Sequence, residues 1–453
     1  MVAGDRYARF RRGRPGRVAR TETIDIPGAP SVWWGVGPMD DTPRTRTIEI
    51  LTAEPVRGRG AARAAGRLDR WVLARMRRRL QGIPLRVTLW DGTSVSLADT
   101  AEAAEVVVKD RRTLLALVRD PAVAFGDAYA GGRLEVRGDL VRLLEAVYGH
   151  WQETRVGHRA EPPRRQPSSR EQARANIHYH YDLGNDFYRL WLDEQLVYTC
   201  AYFPTPGTRL EEAQTAKFDH VCRKVRLRPG ETVVEAGCGW GALALHMARH
   251  YGVTVKAYNI SREQIRFARA RAQAEGLDGR VEFVEDDYRN VRSRCDVFLS
   301  VGMLEHVGQQ NYRVFAEVID RCLAPNGRGL LHFIGRDRPR ALNPWIRKRI
   351  FPGAYPPTLG EVAREVLEPA SLTVLDVENL RLHYALTLRH WRARFEEAAG
   401  RVAEMFDESF VRAWRLYLAG SEVGFTTGYL QLFQLTFARA AADTAWTRAE
   451  LYR

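Results

Sequence analysis

Residues 231–241, ETVVEAGCGWG, have the residue types of a ligand-binding turn: an apolar strand ends in Glu235 and runs into Gly237, Gly239 and Gly241. Alternate glycines let the backbone take positive φ and approach a ligand closely, and the ALALHMAR that follows reads as a helix whose amino end faces the same ligand. The spacing is GxGxG, not the GxGxxG of a nicotinamide fingerprint, and no GxxxxGK[ST] is present to cradle a triphosphate. The turn therefore predicts a nucleoside cofactor of another kind. Other reactive types lie downstream: Glu305 and His306 just beyond the strand DVFLSV, and His332 inside the apolar run LLHFIG. The five cysteines (Cys200, Cys222, Cys238, Cys295, Cys322) form no CxxC pair and read as reduced thiols. His178 and His180 have no third ligand at zinc spacing, so no metal is expected.

The elements that must position these residues alternate: VVEA, helix 242–250, VTVKAY, helix 261–275, VEFV, CDVFLSV, helix 310–323, GLLHFIG. This rhythm predicts an α/β fold, a parallel sheet wrapped by helices, with ligands at the carboxyl ends of the strands. TVLDVENL (373–380) and YLQLFQLTFAR (429–439) would close the sheet, the second as an antiparallel strand. Upstream, 84–97 alternates apolar and polar residues about Asp91-Gly92, a hairpin signal, and 111–149 reads as helices around Gly131-Gly132. These make a smaller N-terminal α+β domain over 66–154, joined by a proline- and arginine-rich linker, 155–172, to a domain spanning 173–453. Residues 1–65, with Arg9, Arg11, Arg12, Arg14, Arg17 and Arg20, read as a basic flexible arm. In GRLDRWVLARMRRRL (66–80), Leu68, Trp71, Val72, Met76 and Leu80 form one apolar helix stripe flanked by arginines, suited to a membrane interface or to packing on the domain that follows.

At 453 residues with 45% hydrophobic content, the chain can bury a sizeable core in two or three domains. It shows no apolar run near the ~20 residues of a membrane span and no signal-like segment, so a cytoplasmic, non-integral protein is expected. The net charge of +14 favours an acidic partner, nucleic acid or anionic lipid. Only five of the 69 basic residues are lysine: Lys109, Lys217, Lys224, Lys256 and Lys348.

Six stretches, in order, resemble the cyclopropane-fatty-acid synthases and their mycolic-acid relatives: HYHYDLGNDFYRLWLDEQLVYTCAYF (178–203), VVEAGCGWGALALHMA (233–248), YNISREQIRFAR (258–269), SVGMLEHVG (300–308), LLHFIG (330–335) and IFPGAYPP (350–357). DPAVAFGDAYAGGRLEVRGDL (120–140) is similar to the amino-terminal domain of the bacterial enzymes that act on phospholipid acyl chains. The resemblance implies a Rossmann-like methyltransferase domain with a mostly parallel seven-stranded sheet, and S-adenosylmethionine as methyl donor. Its binding loop would comprise Glu235, Ala236, Gly237, Cys238, Gly239, Trp240 and Gly241. Tyr198 and Thr199 would close over the methionine part, Asn259 and Gln264 would replace the usual strand-end acid at the ribose, and Glu285 and Asp286 would lie near the adenine.

The family's chemistry aims a methylsulfonium at an isolated alkene in a dry pocket, protects a carbocation and removes one proton. The resemblance implies a bicarbonate ion as base, held by Glu305, His332, Tyr384 and backbone groups at Cys200 and Ile334. It implies transfer to the cis double bond of unsaturated phospholipid acyl chains, closing a cyclopropane; the same cation can instead resolve to a methylene-branched chain. No [DN]PP[YFW] motif is present, which argues against nucleic acid as the substrate. A lid about 336–371 carries WIRKRIFPGAYPP, where Trp345, Ile346, Ile350 and Phe351 mix with Arg347, Lys348 and Arg349. The lid and the helix near Trp71 are the expected contacts with an anionic phospholipid membrane surface, on the inner face of the cell membrane. Dimerisation through the smaller domain is implied by resemblance alone.

Overall fold

The computed structural model describes residues 64–153, 171, 183–442 and 445–451. Nearly all of the expected arm and linker, and the pair His178/His180, lie outside the described residues. Two sheets organise the chain. The first has β1 (Leu85–Leu89), β2 (Ser94–Ser96), β3 (Ala104–Val108) and β4 (Leu134–Gly138) in the order β2-β1-β3-β4. β1 and β2 form the hairpin about Asp91-Gly92, Val87 facing Val95, while β1 and β3 run parallel. Helices Arg111–Arg119, Pro121–Ala130 and Leu140–Glu153 complete this unit. The stretch 111–149, read above as helices alone, thus contains the strand β4. Its five residues, LEVRG, are too short for their alternation to stand out between two helices.

The second sheet has β5 (Thr232–Ala236), β6 (Thr254–Asn259), β7 (Val281–Glu285), β8 (Cys295–Val301), β9 (Leu323–Gly335), β10 (Thr373–Asn379) and β11 (Gln431–Ala438). Its order is β10-β11-β9-β8-β5-β6-β7. β5 through β9 are parallel, and β11 is antiparallel to both β9 and β10. The central strands are buried on both faces, which explains the unbroken apolar runs VVEA and VFLSV. Strand order reverses on either side of β5, so a crevice opens where β5 and β8 end, and ligands bind at such switch points.

The expected lid holds a short helix, Pro344–Arg349, capped by Asn343, whose Oδ1 accepts from the backbone N–H groups of Trp345 and Ile346. It does not present its aromatic side to solvent. Trp345 is 4% exposed, its Nε1 donates to Asp127 Oδ1 (3.1 Å), and Arg349 grips the same carboxylate through Nε (3.0 Å) and Nη2 (2.8 Å). Ile350 is buried too, leaving Arg347 and Lys348 outward. A mixed apolar and basic pattern does not distinguish a lipid from a protein partner; Gly126 and Asp127 supply the latter. The helix Arg67–Arg79 divides its stripe: Val72 and Leu73 are buried, while Trp71 remains 54% and Leu68 50% exposed.

A Cβ at Gly126 would lie 2.4 Å from the Trp345 ring. Gly126→Ala is therefore expected to cost about 1–3 kcal/mol through overpacking. Thermal unfolding should show a Tm lowered by a few degrees, and an unchanged Tm would mean that Trp345 is not held against this helix.

Candidate active site

The glycine turn connects β5 to the helix Ala242–Tyr251, and its three glycines have φ of 86°, 54° and 84° for Gly237, Gly239 and Gly241. Two also lack room for a side chain: a Cβ on Gly237 would meet Met303 at 2.9 Å, and one on Gly241 the Phe283 ring at 2.5 Å. At Gly239 the space is open, on the wall of a cleft of about 100 Å³. Tyr198, Thr199, Glu235, Gly237, Cys238, Gly239, Trp240, Asn259 and Gln264 line that cleft. Trp240 is steered by its Nε1 donating to Asn185 Oδ1 (2.7 Å), and Asn259 Nδ2 donates to Gln264 Oε1 (2.6 Å) and to the Gly239 carbonyl (3.2 Å). Asn259 at the end of β6 and Gln264 on the following helix are thus coupled to each other on the cleft wall.

Ala236, Gly241, Glu285 and Asp286 do not line the cleft. Asp286 Oδ1 accepts from the Asp287 backbone (2.7 Å) and from Asn290 Nδ2 (2.8 Å). A short acidic side chain in a loop readily bonds its own neighbours, and here Oδ1 does so.

Lys217, on the helix Leu210–Lys224, is the cleft residue that motif reading missed. It is fully buried, and its Nζ donates to Thr199 Oγ1 (3.0 Å). Burial pulls its ammonium down to about 8 and pushes the Glu235 carboxyl up to about 7, while the attraction between them opposes both shifts. The sequence signal for it was its type alone: Lys217 is one of only five lysines in an arginine-rich chain.

Tyr198, Thr199, Gly302 and His306 belong both to this cleft and to a second, apolar cavity of about 750 Å³. Cys200, Glu305, His332, Ile334 and Tyr384 are all brought together on the second cavity's wall. Glu305 is buried in the short helix Leu304–Val307 after β8. Its Oε1 accepts from the Ile334 backbone N–H (2.5 Å), and its Oε2 has no partner. Burial pushes this carboxyl up to about 7, and the Ile334 N–H only partly offsets the effect. Cys200 is buried, its Sγ donates to the Ala201 carbonyl, and burial pushes its thiol far above its ordinary value. It is no thiolate nucleophile. Tyr384 packs edge-on to Trp391 and at 4.5 Å on Phe425.

His332 is positioned from behind. Gln434 on β11 pairs with it in register, and Gln434 Nε2 lies 3.1 Å from His332 Nδ1. An imidazole accepting at Nδ1 carries its proton on Nε2, which has no protein partner. Glu378 on β10 stands opposite Gln434 and bonds His220 Nε2 (2.7 Å) and Lys224 Nζ (2.6 Å). Burial, aided by the charges of Lys217 and Lys224, keeps His332 neutral well below its ordinary pKa. The wall thus presents a neutral N–H donor and a carboxyl oxygen that titrates near neutrality.

Comparison with known proteins places this arrangement. The family model described as mycolic acid cyclopropane synthetase matches residues 168–435, and a domain of unknown function, DUF7884, matches 72–155. A probable fatty acid methyltransferase of Pseudomonas putida is 36% identical over 383 residues, 82% of this chain and 97% of that protein. The cyclopropane-fatty-acyl-phospholipid synthase of Escherichia coli K12 is 40% identical over 265 residues, 58% of this chain and 68% of that protein. The solved mycolic acid cyclopropane synthase CmaA1, complexed with SAH and CTAB, superposes with a TM-score of 0.56 at 30% identity, covering 58% of this chain and 98% of that one.

The raised Glu305 carboxyl has a consequence for stability. The folded chain keeps a proton that the unfolded chain releases near 4.5, so stability falls as pH rises from there through about 7. Glu305→Gln removes that loss and should be more stable than the parent at pH 8 by a few kcal/mol, at ~1.4 kcal/mol per pKa unit, with little gain at pH 5. Thermal unfolding at both pH values checks this; an equal shift at the two would contradict it.

Proposed function

Since the chain belongs to the mycolic acid cyclopropane synthetase family and is an S-adenosylmethionine-dependent methyltransferase, we propose that it methylates the cis double bond of unsaturated phospholipid acyl chains, closing a cyclopropane. The observation that carries this reading is the junction of the two cavities at Tyr198, Thr199, Gly302 and His306. A charged donor in the cleft and an apolar chain in the cavity would meet there, at the four residues that, among those described, line both. The turn fits the donor, because Gly239 leaves open space on the cleft wall and, among the described residues, the buried Glu235 Oε2 has no partner. Glu235, Trp240, Asn259 and Gln264 would hold it, and when bound it supplies an electrophilic methyl group.

The chain's own residues must then exclude water and accept one proton from the substrate. The apolar wall does the first. Glu305 suits the second, since a carboxyl titrating near 7 can take up a proton at neutral pH. His332 Nε2–H and Glu305 Oε2, both without protein partners, also fit a small oxyanion such as bicarbonate, which would supply a base there. The Ile334 N–H, expected to serve that anion, is already engaged by Glu305. Tyr384 and Cys200 supply the remaining wall.

The small sheet and its helices line the other half of the cavity, with Ile83, Leu85, Val106 and Leu134 among its residues. Trp71 and Val118, both on that wall, are exposed alongside Leu68 and Leu115, amid Arg70, Arg75, Arg77, Arg78 and Arg112. An apolar patch rimmed by cations suits the anionic surface of the inner membrane face, reached peripherally. No helix among the described residues is long and apolar enough to cross a membrane. A second outcome, a methylene-branched chain from the same site, is favoured by one observation: the Pseudomonas putida relative, named as a fatty acid methyltransferase, is matched over nearly its whole length.

With radiolabelled donor, label is expected in the acyl chains of unsaturated phosphatidylglycerol vesicles and not in RNA or DNA. Mass spectrometry with double-bond derivatisation then separates a ring from a branch. Glu305→Gln and His332→Gln should each lower kcat about 10²-fold with donor affinity unchanged, and parent kcat should rise with pH through about 7 as Glu305 ionises. Label confined to nucleic acid would sink the proposal.

A further inference from the structure

Arg336 follows the last residue of β9 and lies on the wall of the apolar cavity, 1% exposed. Its Nη1 donates to the carbonyls of Arg340 (3.3 Å) and Ala341 (2.8 Å), but Nε and Nη2 have no partner among the described residues. Buried guanidinium groups are ordinarily paired, because desolvating an unbalanced charge is costly. Around Arg336 stand Tyr429, Arg340, Tyr148 and Tyr355, three phenols and a second guanidinium rather than a carboxylate. Arg340 is a second cation against the same ring, the two guanidiniums lying 5.1 and 4.3 Å from the Tyr429 centroid. The nearby carboxylate, Asp337, is already shared between Arg340 (2.7 Å) and Arg338 (3.1 Å).

A role confined to pinning the 340–341 carbonyls would use one nitrogen and would need no unbalanced charge. The two unpartnered nitrogens instead form one edge of the guanidinium, the edge that takes a carboxylate or phosphate through two parallel hydrogen bonds. Arg336 also stands four residues beyond His332 on an extended strand, or ~13 Å at ~3.3 Å per residue. That is of the order of the separation between a mid-chain double bond and the polar end of an acyl lipid.

We propose that Arg336 receives the oxyanion at the polar end of the acyl substrate, the phosphodiester of a phospholipid or the carboxylate of a free fatty acid, while the double bond lies at Glu305 and His332. This rests on the acyl-methylation reading and adds to it the group that fixes how far the chain enters. Tyr148 and Tyr429, both on the cavity wall, contribute phenols beside the same point.

Binding to the full-length protein tests the site without turnover, read by tryptophan fluorescence in neutral detergent micelles. Two matched pairs serve as probes: dioleoyl phosphatidylglycerol against dioleoylglycerol, and oleate against oleyl alcohol. The parent is expected to bind the anionic member of at least one pair about tenfold more tightly. Arg336→Met should abolish that preference, Arg336→Lys should retain part of it, and both should bind S-adenosylmethionine as the parent does. Dependence in the first pair identifies a phosphodiester and in the second a carboxylate; either supports the site. Equal affinity within both pairs for the parent overturns it even if Arg336→Met fails to fold, and so does a preference that survives in Arg336→Met. A protein that discriminates but methylates no lipid would refute the acyl-methylation reading and leave this site standing.

Discussion

A dry junction between a polar cleft and an apolar cavity is the constraint from which the rest of the structure follows. Water at that junction would screen every charge, so the walls are apolar and the few polar groups are held away from solvent. Glu235, Glu305 and His332 each keep a buried polar atom with no protein partner. Such atoms destabilise a fold unless something else satisfies them. Here all three belong to residues that line the two cavities.

The fold meets the constraint with one strand. β9 carries His332, then Ile334 whose N–H anchors Glu305, and leads into Arg336. Antiparallel β11 sets Gln434 beside His332, and β10 sets Glu378 beside Gln434, so a row across three strands fixes the imidazole from the side away from the cavity. The helix Leu210–Lys224 covers that row with His220 and Lys224, and sends Lys217 to the cleft. The departure from parallel order at the sheet edge therefore brings polar side chains from distant sequence behind the cavity wall that carries His332.

The four-stranded sheet closes the cavity from the opposite side. Its apolar residues share a core with the aromatic helices of the larger unit, and the Trp345 and Arg349 contacts with Gly126 and Asp127 fasten the two together. Amphipathicity in the sequence identified both apolar surfaces but misassigned one. Pattern reports that a face is apolar, and only a facing residue reports what covers it.

What the sequence by itself determined is local. Gly237, Gly239 and Gly241 need positive φ or close approach, the central strands need unbroken apolar runs, and GxGxG excludes two classes of phosphate ligand; each is a property of a few consecutive residues. The family resemblance further implied a shared site for Cys200, Glu305, His332 and Tyr384, which line one cavity. Tertiary structure decided the rest, because the deciding contacts join residues far apart in the chain. Gln434 lies 102 positions from His332, Asp127 lies 218 from Trp345, and Thr199 receives Lys217 from another element. Asp286 shows a local use of the same residue type: one of its oxygens accepts from the neighbouring backbone N–H. Desolvation, which moves Glu305 toward neutrality and leaves Arg336 without a counter-charge, is a property of surroundings that no stretch of sequence carries.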